Sequence, residues 1–105
     1  MATPHTPSPG AKRAIRKIGA DLKTARLRQR LPMEIVANRA FISRGTLARV
    51  EAGDPGVSFG IFATVMQALR LDGQLADVAA DDRVGVMMEN ERLPQRVRIK
   101  RKSKE

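Results

Sequence analysis

Between Leu31 and Gly53, helix start and stop signals follow one another so closely that only two short helices fit. Pro32 suits the first position of a helix, where its missing N–H is not needed. That helix must end before Ser43, whose hydroxyl suits the cap of a following helix. The following helix is predicted from about Arg44 to Ala52, with Gly53 as its C-terminal stop.

Apolar residues in this stretch have the spacing that lets the two helices pack together. The residues predicted on this inner side are Ile35 or Val36, Ala37, Ala40, Ile42, Leu47 and Val50. Ala37 supplies the small residue that is needed where two helices cross, and Ile42 fills the corner after the turn. Two short helices joined by a turn of three or four residues are typical of the DNA-binding helix-turn-helix, whose second helix enters the major groove.

A longer helix is predicted before this pair. Ile15, Ile18, Leu22 and Ala25 recur at intervals of three and four residues, which gives one apolar face over about 12–30. Residues 1–11 are rich in Pro and small polar residues and cannot bury enough apolar surface to offset the entropy of ordering. They are therefore predicted to be a flexible, disordered arm.

Two further helices are predicted after the pair. Ser58 suits the cap of a fourth helix, and its apolar repeat predicts that this helix is the most buried element. The repeat consists of Phe59, Phe62, Ala63, Met66 and Leu69. Asp72 is the predicted cap of a fifth helix, on which Leu75, Val78 and Ala79 share a face.

The domain predicted from these elements is all-helical and spans 12–80. Residues 81–105 are predicted to be a basic C-terminal extension for dimerisation or partner binding. Its basic end from Arg92 to Lys104 is interpreted as an arm that contacts the DNA backbone, as a partner-binding segment or as a solvated, disordered end. Within that extension, the apolar run 84–88 is compatible with a short strand or with a ragged helix end, and the tail from Leu93 to Lys104 alternates basic and apolar residues.

The formal net charge of +9 implies an anionic partner, of which nucleic acid is the commonest for a small protein. The charge is concentrated at the two ends. Eight basic residues and one acidic residue precede Leu31, whereas residues 31–80 hold four basic and five acidic ones. Seven more basic residues lie between Arg92 and Lys104. This distribution favours an electrostatic footprint over a charge that serves solubility alone.

Several classes of function find no support in the sequence. The absence of cysteine excludes disulfides and thiolate metal sites, and the single histidine, His5, lies in the predicted arm. Asp81 and Asp82 are adjacent carboxylates without a third partner, so they are interpreted as solvated residues rather than metal ligands. We therefore expect no catalytic site, no metal and no cofactor. No apolar run approaches the ~20 residues of a membrane span, so we expect a cytoplasmic protein without membrane contact.

The stretch LPMEIVANRAFISRGTLARVEAG, from Leu31 to Gly53, resembles the helix-turn-helix of the phage repressor and Cro group, also called the XRE family. The resemblance extends over about 15–78. It implies a five-helix, lambda-repressor-like DNA-binding domain and a homodimer on palindromic double-stranded operators.

The same resemblance assigns roles by position. Arg44, Gly45 and Arg49 lie where the family reads bases, and an arginine–guanine pair supplies about 1–3 kcal/mol of discrimination. Arg26 and Glu51 match a structural pair that bridges the first and third helices. The positions assigned to DNA phosphate contacts are Ser43, Met33, Thr46, Arg28 and Arg30.

Three residues depart from the family pattern. Met33 stands where relatives often carry a phosphate-binding Gln. Phe41 replaces the usual turn glycine, and because a residue with a Cβ tolerates positive φ poorly, a different turn geometry is expected. Gly45 costs a helix about 1 kcal/mol relative to Ala. Two interpretations of Gly45 remain open. It either allows the helix backbone to approach DNA closely or is a surface glycine that the fold tolerates.

The segment Ala52–Ser58, the helix after it and the basic segment Leu93–Arg98 resemble HipB-like antitoxins. Such antitoxins pair with HipA-like kinase toxins. The resemblance implies a transcriptional repressor that autoregulates a toxin–antitoxin operon and binds the toxin. Two alternatives remain open: a stand-alone XRE-family regulator, and an interaction module that neutralises a toxin and binds DNA only incidentally.

Overall fold

The computed structural model describes residues 5–80, 82–89 and 93–99, and its regular structure in these ranges is entirely helical. This confirms the predicted all-α class. The helices are α1 (Pro9–Arg28), α2 (Met33–Ala40), α3 (Arg44–Glu51), α4 (Phe59–Ala68), α5 (Asp72–Ala76) and α6 (Arg83–Met88). None of the described helices is long and apolar enough to cross a membrane.

Helix α1 begins earlier than predicted. The Ser8 hydroxyl accepts a hydrogen bond from the backbone N–H of Ala11 (3.3 Å), and Pro9 occupies the first helical position. Proline suits that position because its φ is already helical and no N–H is needed there. The predicted arm of residues 1–11 is therefore wrong for residues 9–11, and residues 1–4 lie outside the described ranges.

The serine caps predicted for α3 and α4 are confirmed. Ser43 accepts from the N–H of Thr46 (3.0 Å), and Ser58 accepts from the N–H of Ile61 (3.2 Å). Two other predicted boundaries are wrong by one residue. Pro32 precedes α2 as its cap instead of occupying its first position, and Asp72 lies inside the first turn of α5, with Leu71 at the cap.

The core lies where α2 meets α3 and α4, and α1 closes it from the side of α3. The predicted inward residues of α2 and α3 are confirmed, with Val36 and not Ile35 on the inner face. The buried apolar side chains are Leu22, Val36, Ala37, Ala40, Leu47, Val50, Val57, Val65 and Leu69. Because α3 buries Leu47 and Val50 on one side, its opposite side faces solvent.

Helix α4 is not the most buried element, contrary to prediction. Its fully buried residue is Val65, with Leu69 following at the C-cap, whereas the Phe59 side chain is 71% exposed. Helix α5 is shorter than predicted. It ends at Ala76, so Val78 and Ala79 lie beyond it instead of sharing a helix face with Leu75, and Val78 is 69% exposed. Phe59, Phe62 and Met66 instead line an open apolar groove of about 510 Å³ between α1, α4 and α5.

Within the described ranges of the C-terminal extension, 82–89 and 93–99, there is one short helix. The run predicted as a strand or a helix end is helical, within α6, and Asp82 caps it by accepting from the N–H of Gly85 (2.9 Å). Its Val and Met side chains are exposed. Residues 93–99 are exposed and belong to no helix or strand. The rest of the predicted basic tail lies outside the described residues, as does Asp81.

The turn between α2 and α3 keeps a left-handed residue even though that residue is phenylalanine. Phe41 has φ 56° and ψ 40°, and its side chain is 93% exposed. The expectation of a different turn geometry is therefore wrong. A left-handed backbone costs an L-residue about 1–2 kcal/mol, and this exposed side chain buries little surface to offset that cost.

Replacement of Phe41 by Gly is expected to raise the free energy of unfolding by about 0.5–1 kcal/mol. The left-handed strain disappears, and the greater freedom of glycine in the unfolded chain cancels part of the gain. Urea denaturation measures the change. Phe41→Ala is the matched control, because it removes the aromatic ring but keeps a Cβ. An equal gain in both variants would show that the exposed ring, and not the backbone conformation, is responsible.

Candidate nucleic-acid interface

The N-terminal end of α3 carries two hydroxyl groups that contact each other. The Oγ of Ser43 lies 2.9 Å from the Oγ1 of Thr46 and also accepts the Thr46 N–H. Because one hydroxyl donates to the other, one of the two hydroxyl hydrogens remains available to an outside acceptor. The structure thus brings together Ser43 and Thr46, both predicted to contact phosphate, at a helix end whose dipole favours anions.

The side of α3 opposite the core presents the predicted base-reading residues. Arg44, Gly45 and Arg49 are all exposed, and Ala48 between them is exposed as well. A Cβ placed on Gly45 would have the Ser43 Oγ, at 3.8 Å, as its nearest neighbour. The fold therefore has room for a larger residue there, and packing does not require the glycine.

Arg49 is held by an ion pair that the sequence reasoning missed. Its Nε donates to Oδ2 of Asp54 (2.8 Å), and Oδ1 of the same carboxylate accepts the N–H of Gly56 (2.7 Å). The Arg49 hydrogen bond, aided by that of Gly56, holds the pKa of the Asp54 carboxyl below its ordinary value. Neither residue spacing nor composition reveals such a contact.

Arg26 and Glu51, assigned as a structural pair by resemblance, lie in direct contact. Nε and Nη2 of Arg26 donate to the two carboxylate oxygens of Glu51 at 2.7 and 3.2 Å, and Nη1 donates to the carbonyl of Leu31 (3.0 Å). The two side chains are only 8% and 6% exposed. The pair ties α1 to the end of α3, so Arg26 contributes nothing to a surface charge.

A close backbone approach of α1 to the end of α3 was also missed. A Cβ on Gly19 would lie 2.5 Å from the carbonyl oxygen of Val50 and 2.6 Å from the N of Gly53. Gly53 itself has φ 71°, and a Cβ there would collide with the backbone of Arg16. A glycine inside a long helix is a sequence signal for such an approach, but it does not identify the partner.

The remaining residues predicted to contact phosphate fall into two groups. Arg28 and Arg30 are exposed at the end of α1 and just after it, close in sequence to the start of α2. Met33 is different, because its half-buried side chain packs against the core and has no N–H or O–H to donate. The phosphate contact predicted at Met33 stays a prediction, and its thioether has no hydrogen to donate to a phosphate. The start of α2 has no side-chain cap, so its first backbone N–H groups are the donors at this position.

Exposed arginines lie at the end of α1, just after it and on α3. Within the described part of the chain, the ion pairs are Lys17–Asp21, Arg26–Glu51 and Arg49–Asp54. Arg28, Arg30 and Arg44 are exposed and take part in none of these pairs.

No family model matches the chain, and comparisons with the curated proteins and with the solved structures give no match.

Proposed function

We propose that this chain is a sequence-specific DNA-binding transcriptional repressor with a lambda-repressor-like domain, and that α3 is its recognition helix. The observation that carries the proposal is the division of α3 into two faces. Leu47 and Val50 are fully buried, while Arg44, Gly45 and Arg49 are exposed on the other side. The helix is thus anchored firmly and presents two arginines to solvent.

The dimensions and chemistry of α3 suit the major groove of B-DNA, which admits one helix. A guanidinium donates two parallel hydrogen bonds to O6 and N7 of guanine, and each such contact supplies about 1–3 kcal/mol of discrimination. The absence of a side chain at Gly45 allows the backbone of α3 to approach the bases closely. These features support base reading by this face.

Contacts to the DNA backbone complete the proposed interface. The hydroxyls of Ser43 and Thr46 lie at the start of α3, and the start of α2 has backbone donors without a side-chain cap. Helix N-termini favour phosphate through their free N–H groups and dipole. Arg28 and Arg30 add positive charge that strengthens binding to any DNA sequence and makes it depend on salt.

We further propose that the protein acts as a homodimer on a palindromic operator. Helix-turn-helix dimers contact two half-sites about one helical turn apart, ~34 Å centre to centre. Selection from a library of random-sequence duplexes tests the whole proposal. Enrichment of two inverted half-sites at this spacing supports it, and failure to enrich any sequence overturns it.

On the selected duplex, Arg44→Ala is expected to remove about tenfold or more of the discrimination at one base position of each half-site, because it deletes a bidentate contact. Binding to random duplexes should change less. Arg98→Ala in the exposed C-terminal tail is the matched control and should lower affinity for all duplexes alike, with a weaker salt dependence. Titration of matched and single-base-substituted duplexes measures both. Equal losses on all duplexes for Arg44→Ala would contradict its role as a reader.

The resemblance over Ala52–Ser58 favours a second role, as the antitoxin partner of a HipA-like kinase toxin. A kinase-like gene beside the gene for this chain, with co-purification of the two products, supports that role. If the chain enriches a specific duplex but no such partner is found, the stand-alone regulator is favoured. Co-purification without DNA selection favours the interaction module that binds DNA only incidentally.

A further inference from the structure

Asp54 connects the exposed face of α3 to the turn that follows the helix. One carboxylate oxygen accepts the Gly56 N–H and the other accepts the Nε–H of Arg49. The carboxylate is therefore fixed by the backbone on one side and fixes a side chain on the other. The Arg49 side chain remains 54% exposed, so it is oriented without being withdrawn from solvent.

The contact leaves the end of the guanidinium free. Arginine has one N–H at Nε and four at the two Nη atoms, and Asp54 takes the Nε–H. The Nη groups retain the parallel pair of donors that guanine O6 and N7 accept. Gly56 makes room for this arrangement, because a Cβ there would lie 3.1 Å from Oδ1 of Asp54 and 3.3 Å from Nη2 of Arg49.

We propose that Asp54 is a positioning residue for specificity: it presents Arg49 to DNA as a pre-oriented fork and at the same time repels phosphate. This inference rests on the proposed DNA-binding function. Pre-orientation lowers the entropy that a long side chain loses when it binds a base. The carboxylate charge disfavours contacts in which Arg49 turns towards a phosphate, since like charges then come close together. Asp54 therefore increases the difference in affinity between correct and incorrect DNA sequences more than it increases affinity for the correct one.

The predicted signature separates this role from a structural one. In Asp54→Asn the size of the side chain and an oxygen acceptor for Gly56 are kept, but the negative charge is lost. Discrimination at the base read by Arg49 is expected to fall roughly tenfold, the lower part of the range of an arginine–guanine contact. Affinity for random duplexes should stay the same or rise. A purely structural role would instead lower affinity for all duplexes together.

The experiment titrates the purified chain against three duplexes: the one enriched from a random library, the same duplex changed at the base that Arg49→Ala identifies, and a random sequence. Asp21→Asn is the matched control, because it makes the same change in the exposed ion pair with Lys17 on α1. It should leave all three affinities unchanged. Gly56→Ala, which crowds both Asp54 and Arg49, should reproduce the loss of discrimination.

Three results would overturn the proposal. Discrimination retained in Asp54→Asn excludes the positioning role, and so does an equal loss on all three duplexes. If Arg49→Ala discriminates at every base position as before, Arg49 does not read a base, and Asp54 then has no reading side chain to position. Failure of the wild-type chain to enrich any duplex would be a different result, since it overturns the DNA-binding function itself and this inference with it. Slow exchange of the Arg49 Nε–H in nuclear magnetic resonance, lost in Asp54→Asn, establishes the ion pair without DNA.

Discussion

Replacement of Glu51 by Ala is expected to lower the free energy of unfolding by about 3–5 kcal/mol, the cost of leaving one partner of a buried ion pair alone. Arg26 is 7% exposed and donates to both carboxylate oxygens of Glu51. In the variant, its remaining hydrogen bond is the one to the Leu31 carbonyl. A guanidinium kept out of water with two of its donors unpaired is strongly destabilising.

Urea denaturation followed by circular dichroism measures this loss. Asp21→Ala is the control, because it breaks an exposed ion pair on α1, for which less than about 1 kcal/mol is expected. The double variant with Met at both 26 and 51 should recover most of the stability, since an apolar pair of similar volume can replace buried charges. A Glu51→Ala variant no less stable than Asp21→Ala would show that the pair does not hold α1 to α3.

The sequence predicted the α2–α3 pair closely because its signals are local. The Ser43 cap needs only the hydroxyl and the amide of Thr46, three residues away, and the inward positions of Leu47 and Val50 follow from helical periodicity. By contrast, the burial of α4 depends on how much of its surface other elements cover. Periodicity identified its apolar face, but it could not show that the short α5 leaves Phe59 exposed.

The candidate site was predicted only in part, because some of its features follow from local helix geometry and others depend on contacts between separate segments. The exposure of Arg44, Gly45 and Arg49 follows from their position opposite the buried residues of α3. The Arg49–Asp54 contact depends on the path of the turn after the helix, which composition does not specify. The basic residues of α1 were counted together as a footprint, yet Arg26 is buried against Glu51. Charge counts along a sequence cannot separate buried pairs from surface charge.

The orientation of the proposed recognition helix depends on a close approach between the backbones of α1 and α3. This approach is possible because Gly19 has no side chain. Replacement of Gly19 by Ala places a methyl group 2.5 Å from the Val50 carbonyl oxygen and 2.6 Å from the Gly53 N. These neighbours are backbone atoms at the end of α3, so they cannot move aside by a change of rotamer. Overpacking of this kind costs about 3 kcal/mol, and the better helix propensity of Ala returns about 1 kcal/mol. We therefore expect a net loss of about 2 kcal/mol.

Gly73→Ala is the matched control, since a Cβ at Gly73 in α5 meets nothing within 4 Å. It should raise stability by up to about 1 kcal/mol through helix propensity alone. Opposite signs for the same substitution, measured by urea denaturation, would establish that the contact between α1 and α3 is responsible. A Gly19→Ala variant as stable as the wild type would mean that α1 can shift away from α3 at little cost. Titration of the selected duplex should then show whether α3 has moved relative to α1. Any such displacement moves Arg44 and Arg49 together and weakens discrimination at both base positions.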